Sequence, residues 1–339
     1  MLKKERSKER NNVTIKDVAE DAGVSTATVS RVLNKSPLVT EDLIERVQKS
    51  IAKLGYRPNA AARALKTKKT RAIGILVPDI SNPYFMHIIK GIEDVISPLE
   101  YSLLMASSDE DPMKEQRLLN VLAEDRIDCL VLATAGSNEE VIEAVHFGGL
   151  PIVLVDRLPE ELADSMDAVV EDNYGAAYEL TQRVLEQGVH SLAVIHGPQT
   201  ASTAQQRAAG VRAAIRDTAP RVAVTEYYGD FYFNSGLRAA RRFLEKGCPE
   251  ALLAMNNLMA MGALSELLKR GCKIGTDLVF GSYGAVDTLM LPGTTIYYVN
   301  QSPRALGASV GKLVKRRLHD PEADVVYDVV KQPVLVQRL

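Results

Sequence analysis

From residue 72 onward, short apolar runs alternate with longer segments whose apolar positions recur every three or four residues. The apolar runs have the length of buried strands and read AIGILVP, SLLMAS, CLVLAT, PIVLVD, SLAVIHG, ALLAMN, DLVFGS and TIYYV. The segments between them are typical of amphipathic helices and lie near 85–99, 113–124, 139–147, 175–187, 205–217, 235–246, 259–269 and 303–318. Strands that alternate with helices predict parallel sheets with helices on both faces. Residues 72–339 are too many for a single doubly wound sheet, so two doubly wound subdomains are expected.

Residues 13–56 have a helical pattern instead. Thr14 can cap a first helix with Asp17 at the third position, and Gly23 supplies the positive φ of a tight turn. Ser25 can cap a second helix over 26–33. Two short helices joined by a turn that contains glycine form a helix-turn-helix, whose second helix is sized for the DNA major groove. A third helix starts after Thr40, and its apolar stripe comprises Leu43, Ile44, Val47, Ile51 and Leu54.

Charge divides the chain at nearly the same place. Residues 1–71 hold 17 Lys and Arg against 8 Asp and Glu, whereas the remainder holds 24 against 35, which gives the net charge of −2. A basic head on an acidic body is typical of a DNA reader with a regulatory body. Residues 1–12 are charged and without periodicity, so we expect a disordered tail there. Residues 57–71 are predicted to be a linker with one short helix.

Several function classes are disfavoured by the residues. The chain lacks the common nucleophile, phosphate-loop, zinc-protease and dinucleotide motifs, so we expect no enzyme and no cofactor. Neither the scattered cysteines nor the histidines have metal-ligand spacing, which argues against a disulfide framework or a metal site. No apolar run has membrane-spanning length and no signal peptide is evident, so a cytoplasmic protein without membrane contact is expected. The cysteines are Cys129, Cys248 and Cys272, and the histidines are His87, His146, His190, His196 and His319.

Three consecutive pieces, TIKDVAEDAGVS, TVSRVLN and GYRPNAAARAL, closely resemble the headpiece of the LacI/GalR (lactose-repressor) family of bacterial transcription regulators. The resemblance covers nearly the whole chain. It implies an all-α helix-turn-helix headpiece over 13–56, a hinge helix within 57–71, and a periplasmic-binding-protein-like pair of parallel-sheet subdomains. The N-subdomain would comprise about 72–170 plus 300–332, and the C-subdomain about 171–299 plus 333–339. No leucine heptad tail follows the strand-like PVLVQRL, so a homodimer is expected. The runner-up class, a pure ligand-binding module, would not need the headpiece.

The resemblance also implies how double-stranded operator DNA is read. The first residues of the recognition helix, Thr26 and Ala27, together with Arg31, would face base edges, and Arg31 can pair bidentately with guanine. Hydroxyl and amide side chains nearby are better assigned to phosphates. Leu65 matches the family's leucine that wedges into the minor groove and kinks the duplex. The remaining predicted DNA contacts are Thr14, Ser25, Thr28, Ser30, Asn34, Tyr56, Asn59 and Ala62.

Positions that match the family's effector contacts follow the predicted strands, where open α/β sheets bind ligands. Among them, Arg207 is the strongest candidate, because an arginine beside apolar residues needs a partner. The complete set is Asp79, Tyr84, Phe85, Asp156, Arg157, Arg207, Phe231, Asn256, Asn257, Tyr283 and Gln301.

The chain departs from the family pattern at two acidic positions. The usual Asn-Asp is Asn256-Asn257 here, and the usual Gly-Phe-Asp-Asp is 281–284, Gly-Ser-Tyr-Gly. Loss of both carboxylates, with Arg157 and Arg207 retained, favours an anionic effector such as a sugar acid or sugar phosphate. The alternatives are a neutral sugar held by amides, or a degenerate pocket in a regulator controlled by a protein partner. The overall expectation is a repressor of a carbohydrate-metabolism operon.

Overall fold

The computed structural model describes residues 13–34, 36–56, 69–124, 127–286 and 294–338. The chain divides into two compact units, Met1–Thr70 and Arg71–Leu339. The predictions for the N-terminal tail and for Asn59, Ala62 and Leu65 lie outside the described residues. Within the described residues, no helix is long and apolar enough to cross a membrane.

The first unit contains three helices: α1 (Ile15–Ala22), α2 (Thr26–Leu33) and α3 (Glu41–Leu54). The Thr14 backbone N–H donates to the Asp17 carboxylate over 2.7 Å, as the capping pattern predicts. Gly23 has φ +64° and ends α1, while the Ser25 hydroxyl accepts from the Thr28 backbone N–H at 3.1 Å and begins α2. A small core centred on the fully buried Val18, Val29 and Val47 holds the helices together.

The second unit contains two six-stranded sheets. The first half holds β1 (Ala72–Val77), β2 (Ser102–Ser107), β3 (Cys129–Leu132), β4 (Ile152–Val155), β5 (Asp167–Glu171) and β11 (Tyr327–Val330) in the order β11-β5-β4-β3-β1-β2. The second half holds β6 (Ser191–His196), β7 (Ala223–Tyr228), β8 (Ala251–Ala254), β9 (Val279–Tyr283), β10 (Thr295–Val299) and β12 (Val334–Arg338) in the order β12-β10-β9-β8-β6-β7. All pairings are parallel except that of β10 with β12.

Helices cover both sheets, as the alternating pattern predicts. In chain order they are α4 (Pro83–Ile96), α5 (Pro112–Ala123), α6 (Glu139–Phe147), α7 (Asn173–Leu185), α8 (Ser202–Thr218), α9 (Phe233–Glu245), α10 (Asn257–Lys269) and α11 (Pro303–His319). Each predicted helical segment corresponds to one of them. The α/β fold prediction is therefore confirmed.

Three strands were missing from the predicted set: β5, β7 and β11. Strands β7 and β11 are at sheet edges and mostly exposed, so they lack the apolar pattern of an inner strand. Strand β5 is buried, but its apolar stretch is only three residues long and lies between Asp167 and Glu171. The buried carboxylate of Asp167 is tolerated at the start of β5 because Arg317 of α11 pairs with it. The Arg317 guanidinium donates two hydrogen bonds to this carboxylate, of 2.6 and 2.9 Å.

The chain passes between the two halves three times: after β5, after β10 and after β11. Residues that follow β1, β2 and β4 in one half, and residues at or after the ends of β7, β8 and β9 in the other, line one cleft. That arrangement positions the side chains described next.

Candidate functional site

One pocket in the second unit collects residues from both halves. It is lined by Asp79, Asn82, Tyr84, Phe85, Glu110, Asp156, Arg157, Arg207, Phe231, Tyr232, Asn256, Asn257, Tyr283 and Gln301. All eleven predicted effector contacts are in this set. The void left between these side chains is about 30 Å³, which is room for about two water molecules. The pocket is therefore largely filled by its own side chains in this conformation.

The first half contributes carboxylates. Asp156, directly after β4, accepts a hydrogen bond of 2.8 Å from the Tyr84 hydroxyl, and Asp79 accepts two from Ser81 at 2.6 and 2.8 Å. Burial, with Asp156 and Glu171 beside it, raises the pKa of Tyr84 well above its usual range. The Tyr84 hydroxyl therefore stays protonated and donates a hydrogen bond to the Asp156 carboxylate.

Arg157 has two of its three guanidinium nitrogens engaged by protein groups, while its buried Nε atom has no hydrogen-bond partner among the described residues. Its guanidinium makes two hydrogen bonds of 2.7 Å to the Glu110 carboxylate and one of 3.0 Å to the Thr134 carbonyl, and the Arg157 side chain is 3% exposed. This planar two-point pairing is the strong form of an arginine–carboxylate contact. Sequence reasoning missed Glu110, although it belongs to a polar run directly after β2, at the correct end of a strand.

Glu171 lies at the end of β5, next to residues that line the pocket. The Gln301 side-chain amide donates to it over 2.6 Å, and its second carboxylate oxygen has no hydrogen-bond partner. Burial, reinforced by the nearby Asp156 carboxylate, raises the pKa of Glu171 to about 7. Glu171 therefore changes its charge near neutral pH.

The second half contributes Arg207, which lies in α8 and is 5% exposed. Its guanidinium donates to the Asn173 side-chain oxygen at 2.8 Å and to the Met255 carbonyl at 2.9 Å, and it stacks 3.7 Å from the centre of the Tyr283 ring. All three partners are neutral. The sequence analysis expected Arg207 to have a partner, and the Tyr283 ring is one. The usual family pattern has an aspartate close to the position of Tyr283.

Phe231 follows the β7 strand in an unusual backbone conformation, with φ +68°. Its ring lies 5.3 Å from the Arg157 guanidinium carbon and covers Gly197, where a Cβ atom would come within 2.1 Å of the ring. Asp156 shares the left-handed conformation, with φ +65°. Such residues cluster at ligand sites, where the surroundings hold a strained backbone in place.

The two asparagines differ in their contacts. The Asn256 side chain accepts from the Met259 backbone N–H at 3.0 Å and caps α10, so it supports the helix as well as lining the pocket. Asn257 reaches across the cleft, where its amide donates to the Asn82 side-chain oxygen at 3.4 Å. Asn82 and Tyr232 were, like Glu110, not predicted. That these residues bind a ligand stays a prediction.

The candidate DNA-binding residues are in the first unit. Thr26, Ala27 and Arg31 are exposed on α2, as base-reading residues must be. The hydroxyls of Ser25 and Thr28 bond each other at 2.9 Å, so both already serve the helix cap. Thr14 and Asn34 are exposed, Ser30 is half-buried, and Tyr56 packs against the small core.

Comparisons with known proteins agree with this geometry. A family described as periplasmic binding proteins and sugar binding domain of the LacI family matches residues 70–320, and one described as bacterial regulatory proteins, lacI family, matches residues 14–59. The chain belongs to the LacI family. It is a DNA-binding transcriptional regulator and not an enzyme.

Individual relatives extend along most of the chain. Catabolite control protein A of Priestia megaterium is 30% identical over 320 residues, which cover 92% of this chain and 95% of that protein. A solved complex of the transcriptional regulator CelR with cellobiose is 26% identical, has a TM-score of 0.68, and covers 96% of this chain and 99% of its own. The lac repressor dimer bound to operator and the anti-inducer ONPF, at 23% identity, has a TM-score of 0.81 and covers 97% and 98%.

Proposed function

We propose that this regulator is a repressor of carbohydrate-metabolism genes. It acts in the cytoplasm, where the DNA is, as a homodimer on a pseudo-palindromic operator, and it is switched by a small hydroxyl-bearing effector without net negative charge. The observation that carries the effector class is the pairing of Arg157 with Glu110, which leaves the pocket with more carboxylates than free cations.

The charge of the pocket lining decides between the effector classes. The lining contains the carboxylates of Asp79, Glu110 and Asp156 against two guanidinium groups, and Glu171 lies next to it. The preference for an anion rested on Arg157 and Arg207 being unopposed, and Glu110 removes the first of them. An anion would enter a site that already holds an excess of negative charge in a partly desolvated space, where repulsion is strong.

Hydroxyl groups suit the pocket better. Carboxylates and asparagine oxygens accept hydrogen bonds from hydroxyls, Asn257 and Arg207 can donate, and the Phe231 ring offers a flat apolar surface. The structural relative CelR was solved with cellobiose, a neutral sugar. Ligand entry would require the side chains that fill the pocket, Phe231 among them, to move aside.

The effector proposal is tested by the shift of the melting temperature across a panel of sugars that differ in net charge: glucose, cellobiose, glucosamine, gluconate and glucose 6-phosphate. A neutral or amino sugar is expected to raise the melting temperature, while the two anions leave it unchanged. A shift produced only by gluconate or glucose 6-phosphate would restore the anionic interpretation.

A second candidate is favoured by the small void of about 30 Å³. In that case the pocket is degenerate and a protein partner controls the regulator. Failure of every small molecule in the panel at millimolar concentration, with an intact DNA response, would support this candidate against the first.

The DNA proposal is tested by selection from a random duplex pool, followed by titration at several salt concentrations. Twofold proteins read twofold sites, and neutralised phosphates release counterions. Arg31→Ala should weaken binding to the selected site more than binding to scrambled duplex, and Leu65→Ala should remove most of the DNA bend. Equal affinity of the wild-type protein for palindromic and scrambled duplexes would contradict the proposal.

A further inference from the structure

Two buried carboxylates at the pocket have no hydrogen-bonded cation among the described residues. Asp156 is 4% exposed and accepts a hydrogen bond of 2.8 Å from the Tyr84 hydroxyl. Glu171 is 1% exposed and accepts one of 2.6 Å from the Gln301 amide, while its second carboxylate oxygen has no partner. A carboxylate has about four positions at which it can accept a hydrogen bond. Both groups therefore retain unused acceptor capacity in a place with little access to water.

The pairing of β4 with β5 brings these two carboxylates to the same edge of the first sheet. The strands are parallel neighbours, and the Asp156 backbone N–H donates to the Val169 carbonyl at 3.0 Å. Glu171 ends β5, two residues after Val169. Like charges at neighbouring strand ends repel each other, in addition to the cost of removing each from water. A positive charge placed beside Asp156 would reduce both costs.

The two arginines of the pocket do not supply enough positive charge. Arg157 is paired with the Glu110 carboxylate through two hydrogen bonds of 2.7 Å, and its Nε atom is 3.9 Å from the nearer Asp156 oxygen, which is beyond hydrogen-bonding distance. Arg207 is a single cation, and its printed hydrogen bonds go to two neutral oxygens. The negative charges of Asp156 and Glu171 therefore exceed the one guanidinium charge that is left for them.

The opposite wall of the pocket carries an unpartnered hydroxyl. Tyr283 lines the pocket and is fully buried, and its hydroxyl has no hydrogen-bond partner among the described residues. A buried hydroxyl without a partner destabilises the site until a ligand supplies one. The Phe231 ring lines the same pocket and offers a flat apolar surface. An amino sugar carries an ammonium group for the carboxylates, hydroxyls for Tyr283 and an apolar C–H face for Phe231.

We propose that the effector is an amino sugar whose protonated amine binds the Asp156 carboxylate. The proposal rests on the proposed function and narrows its effector class from sugars without negative charge to sugars with a positive charge. An ammonium group donates up to three hydrogen bonds, and those to a carboxylate are stronger than the bonds of a neutral hydroxyl. Glu171 is a specificity residue that adds its negative charge from the neighbouring strand. A neutral sugar in the same place would leave the excess negative charge uncompensated.

Calorimetric titration of the full-length protein tests this proposal with matched ligands. Glucosamine, galactosamine and mannosamine are each compared with the parent sugar and with the N-acetyl derivative, slightly below neutral pH so that the amines are protonated. The N-acetyl derivative keeps the nitrogen and loses its charge. At least one amine should bind about tenfold tighter than both of its neutral counterparts, because only the amine forms a charge-assisted bond.

Three variants locate the amine. Asp156→Asn keeps the size of the side chain, and asparagine tolerates the left-handed backbone at φ +65°, so this variant should fold. It should bind the amine no more tightly than the parent sugar. Glu171→Gln should reduce the preference for the amine by a smaller factor and leave the affinity for the parent sugar unchanged. Asp328→Asn removes an exposed carboxylate on β11 and should keep the full preference. Each result compares two ligands on one variant, so a general loss of stability does not imitate it.

The outcomes separate this inference from the proposed function. Equal affinity for the amines and their neutral counterparts would overturn the inference and leave the proposed function standing. Binding of anionic sugars alone would overturn both. Absence of binding by every sugar would also overturn the inference and would favour control by a protein partner. A preference for the amine that persists in Asp156→Asn would show that the assignment to Asp156 is wrong.

Discussion

The two halves of the core share one strand order but supply opposite chemistry to the pocket between them. The first half brings the carboxylates of Asp79, Glu110 and Asp156, and its single lining arginine is already paired. Among the described lining residues, the second half brings no carboxylate; it offers amides, aromatic rings and the guanidinium of Arg207. A shared topology therefore fixes where the walls lie, whereas the loop residues fix what each wall can bind.

Direct contacts join the two walls. They include the 3.4 Å contact of Asn257 with Asn82, and the Arg157 guanidinium 5.3 Å from the Phe231 ring. A cation over an aromatic ring contributes about 1 kcal/mol. Because each of these contacts contributes little free energy, a ligand with modest differential affinity for two arrangements of the walls can shift the balance between them.

The largest expected effect concerns the acidic wall. Glu110→Ala should lower the free energy of unfolding by about 4 kcal/mol, since it leaves the Arg157 guanidinium buried without its partner. Denaturant unfolding measures this loss. Glu93→Ala, at the exposed Lys90–Glu93 pair, is the matched control and should leave the midpoint unchanged. Equal behaviour of the two variants would mean that the wall does not depend on the ion pair.

A pH effect of nearly the same size is expected from Glu171. The Glu171 pKa is about 7 in the folded protein against 4.5 as the ordinary value, so the folded state binds more protons between these pH values. The free energy of unfolding should therefore fall as pH rises from about 4.5 to about 7, by on the order of 3 kcal/mol. Glu171→Gln should flatten this part of the stability profile. A profile identical to that of the wild type would show that Glu171 titrates normally.

Arg207→Ala tests the opposite wall. It should lower the free energy of unfolding by about 2 kcal/mol, because the buried Asn173 oxygen and Met255 carbonyl lose their donor, and it should abolish the effector-induced melting shift. Arg212→Ala, an exposed arginine on the same helix, is the control and should retain that shift. DNA binding without effector should persist in both variants. A normal effector response in Arg207→Ala would place the ligand elsewhere.

The smallest expected effect comes from placing a carboxylate on the pocket wall that the second half forms. Asn257→Asp should change the affinity for a neutral sugar by no more than about 1 kcal/mol, since a carboxylate also accepts from hydroxyls, while it weakens any residual binding of an anion. Calorimetric titration of both ligand types measures the two changes. Tighter binding of the anion by Asn257→Asp would reverse the assignment of charge to the two walls.

Much of the architecture is readable from local patterns. The inner strands and the amphipathic helices have their periodicity in consecutive residues, and the caps at Thr14 and Ser25 need only neighbours three positions away. The effector positions were found from the resemblance, because strand ends in this fold lead into the cleft. The structure brings those positions together as that reasoning expects.

The charge of the site could not be read in the same way. Glu110 and Arg157 belong to different loops, and only the three-dimensional arrangement of β2 and β4 brings their side chains together. The same holds for β5, whose partner strand β11 comes from near the end of the chain. Long-range pairing decides these features, whereas residue types alone suggested free cations.

Because the chain passes between the halves three times, each half is built from segments that are separate in the sequence. This has a consequence for synthesis on the ribosome. The strands β6 to β10 emerge as one nearly continuous block, so the second half can gain most of its sheet early. The first half must wait for α11 and β11, which supply Arg317 for Asp167 and the edge partner of β5. Until then the apolar Val169 and Val170 have an open edge beside them, and such unpaired strands are where nascent chains aggregate or recruit chaperones. The half whose first strand is translated earliest thus depends on a helix and a strand that are translated near the end of the chain.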